Sequence, residues 1–120
     1  MSERKDIAHL TAQEQGAIYA FVHRLREHLD GRVLSVLLFG SRVRNEARPD
    51  SDVDVAVIVD RGDPATRKAI RYLAVEIWLE YGLYLSTRVW SRDHWHRLEA
   101  LQTGLYRNLR REGIELLSLP

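Results

Sequence analysis

The sequence predicts an α+β, mixed α/β domain: a small mixed sheet flanked by helices. Three observations carry that expectation. Short apolar runs, Val33 to Phe39 and Val55 to Val59, alternate with longer stretches whose apolar residues recur every three or four positions. Turn and cap residues stand between them at the expected places. The 120 residues are a usual size for one domain, so residues 1–120 are expected to share one core.

Taken in order, Thr11-Ala12-Gln13-Glu14 reads as a capping box, and Ile18, Phe21, Val22, Leu25 and Leu29 follow at helical spacing. That helix should end near Asp30-Gly31. The run Val33 to Phe39 is almost continuously apolar and closed by Gly40, as in a strand buried on both faces. A short helix is expected from Ser41. Arg48-Pro49-Asp50-Ser51 is turn chemistry, so a second strand should start at about Asp52. Asp63 and Pro64 suit the cap and first position of a helix that carries Ile70, Leu73, Ala74, Ile77 and Tyr81 on one face and stops at Gly82. Leu83 to Trp90 alternates as a third strand. Ser91 should cap a last helical segment, broken at Gly104 and stopped at Gly113. The apolar tail Leu116 to Pro120 suggests docking on the sheet or on a partner.

Composition narrows the function classes. With 45% apolar and 29% charged residues the chain is of ordinary globular type, and no run approaches the roughly 18 apolar residues of a membrane span. The charged amino terminus does not look like a secretory signal, so a cytoplasmic location and no membrane partner are expected. The absence of cysteine excludes disulfides, thiolate metal sites and cysteine nucleophiles. A net charge of +1 supplies no field for nucleic acid, and the basic residues lack interleaved aromatics, so direct nucleic acid binding is not expected. His94 and His96 stand two apart, which on a helix does not make a shared metal site.

The chemistry concentrates in GSRVRNEARPDSDVD, residues 40 to 54. Alternation puts Asp52 and Asp54 on one face of the second strand and Val53, Val55, Val57 and Val59 on the other. Two carboxylates at one strand end suit a hard divalent cation such as magnesium, which prefers one or two carboxylates together with substrate phosphate oxygens. Gly40-Ser41 at the end of the first strand lets an anion approach bare backbone, and a helix beginning there would aim free N–H groups at it. Either element alone is usually a surface turn; their conjunction between two apolar strands is hard to obtain from core requirements alone.

Gly40, Ser41, Asp52 and Asp54, with Arg42, Arg48, Pro49, Asp50 and Ser51 around them, resemble the signature of the minimal nucleotidyltransferases of the DNA polymerase beta superfamily, the MNT domains. The resemblance extends more weakly to Tyr81-Gly82, to residues 91 to 95, and to the tail from Leu105 to Gly113. It implies the nucleotidyltransferase fold and transfer of a nucleotidyl group, AMP in the first instance, from ATP or another NTP to a hydroxyl. Asp52 and Asp54 would be the catalytic pair holding Mg2+, and Gly40, Ser41, Arg42 and Ser51 would bind the nucleotide. Arg44 is a further candidate for the triphosphate. It also implies a helical HEPN-class toxin as partner and an antitoxin role; a homo-oligomer is compatible with it.

The sequence departs from the family's pattern in one respect. The active members' third acid, on the third strand, has no counterpart between Leu83 and Trp90; Ser86 or Thr87 takes its place, with Arg88 nearby. Glu76 and Glu80 on the preceding helix are the nearest alternatives. A domain that binds nucleotide or toxin without chemistry is therefore the alternative reading. Transfer to a small molecule such as an aminoglycoside is a third, disfavoured because no acceptor-binding domain accompanies the motif.

Overall fold

The computed structural model describes residues 7, 9–40 and 52–118. Helix α1, Ala12–His28, starts at the capping box: Thr11 accepts from the Glu14 backbone N–H while the Glu14 carboxylate accepts from the Thr11 N–H. Its residues Ala17, Ile18, Phe21, Val22 and Leu25 fall on one stripe and are buried. Strand β1, Val33–Phe39, runs antiparallel to β2, Val53–Val59. Helix α2, Pro64–Tyr81, then returns the chain so that β3, Leu85–Ser91, pairs parallel with β2. Parallel neighbours need such a crossover.

Helix α2 has the expected ends. Asp63 accepts from the Thr66 N–H at 2.7 Å, Pro64 occupies the first turn, and Gly82 closes the helix at φ 73°. The Asp63 carboxylate is held below its usual range by the Thr66 side chain and then by the Thr66 backbone N–H, with Arg32 adding charge nearby. Ser91 caps α3, Arg92–Leu101, and Thr103 caps α4, Gly104–Glu112. The break expected at Gly104 lies two residues earlier. Gln102 adopts φ 50°, and Gly104 is the first residue of α4.

The tail forms a fourth strand, β4, Ile114–Ser118, antiparallel to β1, which gives the order β3-β2-β1-β4. Docking of the tail on the sheet is thus realised by strand pairing. The sheet is mixed, as expected, and its two faces differ. Val53, Val55, Val57 and Val59 join α1 and α2 in the larger core. Leu37, Ala56 and Ile58 point to the other face, where Trp95, Tyr106 and Leu109 of α3 and α4 cover them. No helix among the described residues is long and apolar enough to cross a membrane.

Candidate nucleotide and metal site

Among the described residues, the second face is closed at one end by α3 and α4 and open at the other. At the closed end Trp90 stacks on Trp95 with centroids 6.0 Å apart and planes 18° from parallel. The Arg110 guanidinium lies 5.6 Å from the Trp95 ring centre and 5.4 Å from that of Tyr106. Its Nε donates to the Tyr106 hydroxyl at 2.9 Å, and that hydroxyl donates to Glu99 at 2.7 Å. The hydrogen bond to Tyr106 holds Arg110 above its ordinary pKa. Arg110, though its side chain is largely exposed, thus fastens α4 to α3, a role that the turn between the two helices creates.

At the open end the backbone register forms a row across three strands: Phe39 on β1, Asp54 on β2 and Ser86 on β3. Asp54 is half-buried on the same face as Ala56 and Ile58, as period two requires. Asp52 is exposed one residue ahead of β2. Gly40 follows Phe39 with φ 88°, a conformation in which glycine alone carries no steric cost. A Cβ added there would overlap Asp54 Oδ2 and lie 3.1 Å from its Cγ. The carboxylate therefore rests against the bare α-carbon of Gly40. Strand end, glycine and acid are brought together as the sequence anticipated.

Ser41, Arg42 and Ser51, with Arg44 and the helix expected from Ser41, lie outside the described residues. The choice between Ser86 and Thr87 is resolved by register. Ser86 is the lateral neighbour of Asp54, while Thr87 pairs with Val55 and belongs to the opposite face. Arg88, paired with Ala56, is exposed and shares the face of Ser86. Glu76 and Glu80 do not supply a third acid here. Both bond Arg24 of α1, Glu76 at 3.3 Å and Glu80 at 2.5 Å, on the α1/α2 side of the sheet. Among the described residues no three acidic, histidine or cysteine side chains converge as metal ligands. Phe39, the apolar wall beside Asp54, escaped notice in the sequence because it read as one more core residue.

The donor set suits a hard cation. Asp54, half-buried against Gly40, and Asp52, exposed one residue ahead of β2, offer carboxylate oxygens from one strand end, the donor type that hard cations take.

Comparisons with known proteins bear on the family and the fold. A provisionally named protein adenylyltransferase of Methanocaldococcus jannaschii is 29% identical over 100 residues, covering 83% of this chain and 94% of that protein. Spectinomycin adenyltransferase from Enterococcus faecialis, solved with ATP and spectinomycin, superposes with a TM-score of 0.65 at 18% identity, over 88% of this chain and 56% of its own. This chain thus spans little more than half of that enzyme. The structure of a tri-AMPylated Shewanella oneidensis HEPN toxin in complex with MNT antitoxin gives a TM-score of 0.50 at 19% identity, over 89% of this chain and 73% of that one. Both structural likenesses show the fold. The model of the nucleotidyltransferase domain family matches residues 18–115, which include both sheet faces and the whole stretch from Gly40 to Asp54, and the chain belongs to that family.

Proposed function

We propose that the protein transfers a nucleotidyl group, AMP from ATP, to a hydroxyl of a helical HEPN-class partner, in an antitoxin role. The observation that carries the reading is the contact of the Asp54 carboxylate with the uncovered α-carbon of Gly40 at the open end of the sheet. Asp52 and Asp54 would hold Mg2+, which screens the triphosphate charge. Gly40, with Ser41, Arg42 and Ser51, would seat the phosphates. The partner's hydroxyl oxygen forms the new bond to the α-phosphorus; the bond to the α,β-bridging oxygen breaks, pyrophosphate leaves, and the hydroxyl proton passes to solvent. The chain's contribution is positioning and charge, with no covalent intermediate required. The protein adenylyltransferase relative and the AMPylated toxin complex support this choice of donor and acceptor.

A second reading, binding without chemistry, is favoured by Ser86 beside Asp54. A serine and an exposed Arg88 stand on the face where a third acid would help deprotonate the acceptor. One experiment separates the two: α-phosphate-labelled ATP, Mg2+ and an unmodified HEPN-class protein, with Asp54→Asn as the blank. Label in the partner that is absent from the blank establishes transfer. Ser86→Asp with Arg88→Leu should raise the rate, because it restores an acid and removes a competing cation. Complex formation without label from either protein establishes the binding role.

A further inference from the structure

Five of the eight large apolar side chains exposed among the described residues lie together on α2 and the chain just after it: Tyr72 at 66%, Val75 at 42%, Trp78 at 51%, Leu79 at 79% and Tyr84 at 43%. Tyr72, Val75 and Leu79 are spaced three and four apart, so they form one stripe opposite the buried face made by Ile70, Leu73, Ala74 and Ile77. Stripes of this kind mark interaction surfaces. We infer that this stripe is the contact between two copies of the chain, packed about a two-fold axis with their α2 helices antiparallel.

The stripe is complementary to itself. An axis at the level of Val75 and Glu76 sets Tyr72 of one copy against Leu79 of the other. Beside Tyr72 a groove of about 360 Å³, lined by His28, Ala65, Lys68, Ala69 and Glu76, accepts that leucine. Arg71 and Trp78 are seven residues apart and share one flank of the helix. In a two-fold antiparallel pair the same flanks meet, so Arg71 of each copy faces the indole of the other, which stands edge-on to Tyr84 with centroids 5.6 Å apart. Neither Lys68 nor Arg71 forms an ion pair with a described residue. Glu76, on the other flank and near the axis, is paired with Arg24 of its own copy, which limits repulsion between the two carboxylates. Cation and ring acceptor thus occur on one surface, an arrangement that a second copy satisfies completely. The α1/α2 layer covers the sheet face opposite Asp54, so both candidate sites stay open in the pair. The inference is independent of the transfer reading and goes beyond it.

Sedimentation equilibrium of the full chain from low to high micromolar concentration tests it. The expected mass is twice the 14.0 kDa of one chain. Leu79→Glu, and Tyr72→Glu as a second position, should raise the dimer dissociation constant by about 10-fold or more. Arg71→Leu should raise it about 3-fold, and Arg71→Lys less. These exposed substitutions should leave the far-ultraviolet circular dichroism unchanged. A monomer throughout the range overturns the inference. So does a dimer whose dissociation constant is unchanged in both glutamate variants.

Discussion

The two faces of the sheet are built on different terms. On the α1/α2 face the alternate valines of β2 and the stripes of two long helices interlock, and the charged residues nearby pair among themselves, as Arg24 does with Glu76 and Glu80. On the other face two short helices cover Leu37, Ala56 and Ile58, with Phe39 at the edge of that cluster, and among the described residues Asp54 and Ser86 lie beyond it. The larger core lies on the first face and the candidate site on the second. A half-buried carboxylate at the edge of the second face sits apart from the first face, which buries the larger apolar cluster.

The largest effect that would sharpen this contrast is a cavity in the first face. Leu25, fully buried, should cost about 2–5 kcal/mol when changed to alanine. At temperatures where that variant remains folded, nucleotide-dependent stabilisation should persist, as chemical denaturation with and without magnesium and ATP would reveal.

Gly40→Ala comes next and should do the reverse. Backbone strain at φ 88° should cost about 1–3 kcal/mol, and the added Cβ must displace the Asp54 carboxylate, so nucleotide binding should disappear. Gly31→Ala is the matched control. It has φ 73° but no atom within 4 Å of the added Cβ, so it should carry strain while leaving binding intact. Equal loss of binding in both glycine variants would break the comparison.

A smaller effect concerns acid. Asp63 titrates below its usual value of 3.8 in the folded chain, so its stabilisation is present above the unfolded pKa and is lost as pH falls through the folded pKa. The difference in melting temperature between the parent and Asp63→Asn should therefore be constant near neutrality and shrink below about pH 4. The smallest effect is expected for Glu76→Gln: the pair with Arg24 is partly exposed, so the loss should stay within about 1 kcal/mol, with magnesium-dependent binding unaffected.

Much of this architecture is legible in the sequence because it is local. The capping box of α1, the Asp63-Pro64 start and Gly82 stop of α2, and the Ser91 cap each depend on residues within one turn. The division of β2 into a valine face and an aspartate face follows from period two. What escapes depends on distant chain. Strand β4 exists because β1 offers an edge, and Ile114 to Ser118 has no turn next to it that would announce a hairpin. The breakpoint at Gln102 adopts a left-handed conformation that glycine usually takes, so Gly104 was the more obvious place. Register across β2 and β3, which sets Ser86 rather than Thr87 beside Asp54, is fixed by the α2 crossover and has no signature in β3 itself.

The central claim is that the open end of the second face, at Gly40 and Asp54, is where metal and nucleotide bind. Its most direct test is the thermal stability of the parent and of the Asp52→Asn, Asp54→Asn double variant, each with ATP and with or without magnesium. The account predicts that saturating ligand, at about 100 times its dissociation constant, stabilises the parent by about 2.7 kcal/mol. It predicts that the magnesium-dependent part of this gain vanishes in the double variant. An unchanged magnesium-dependent gain in that variant would contradict the claim and place the site elsewhere.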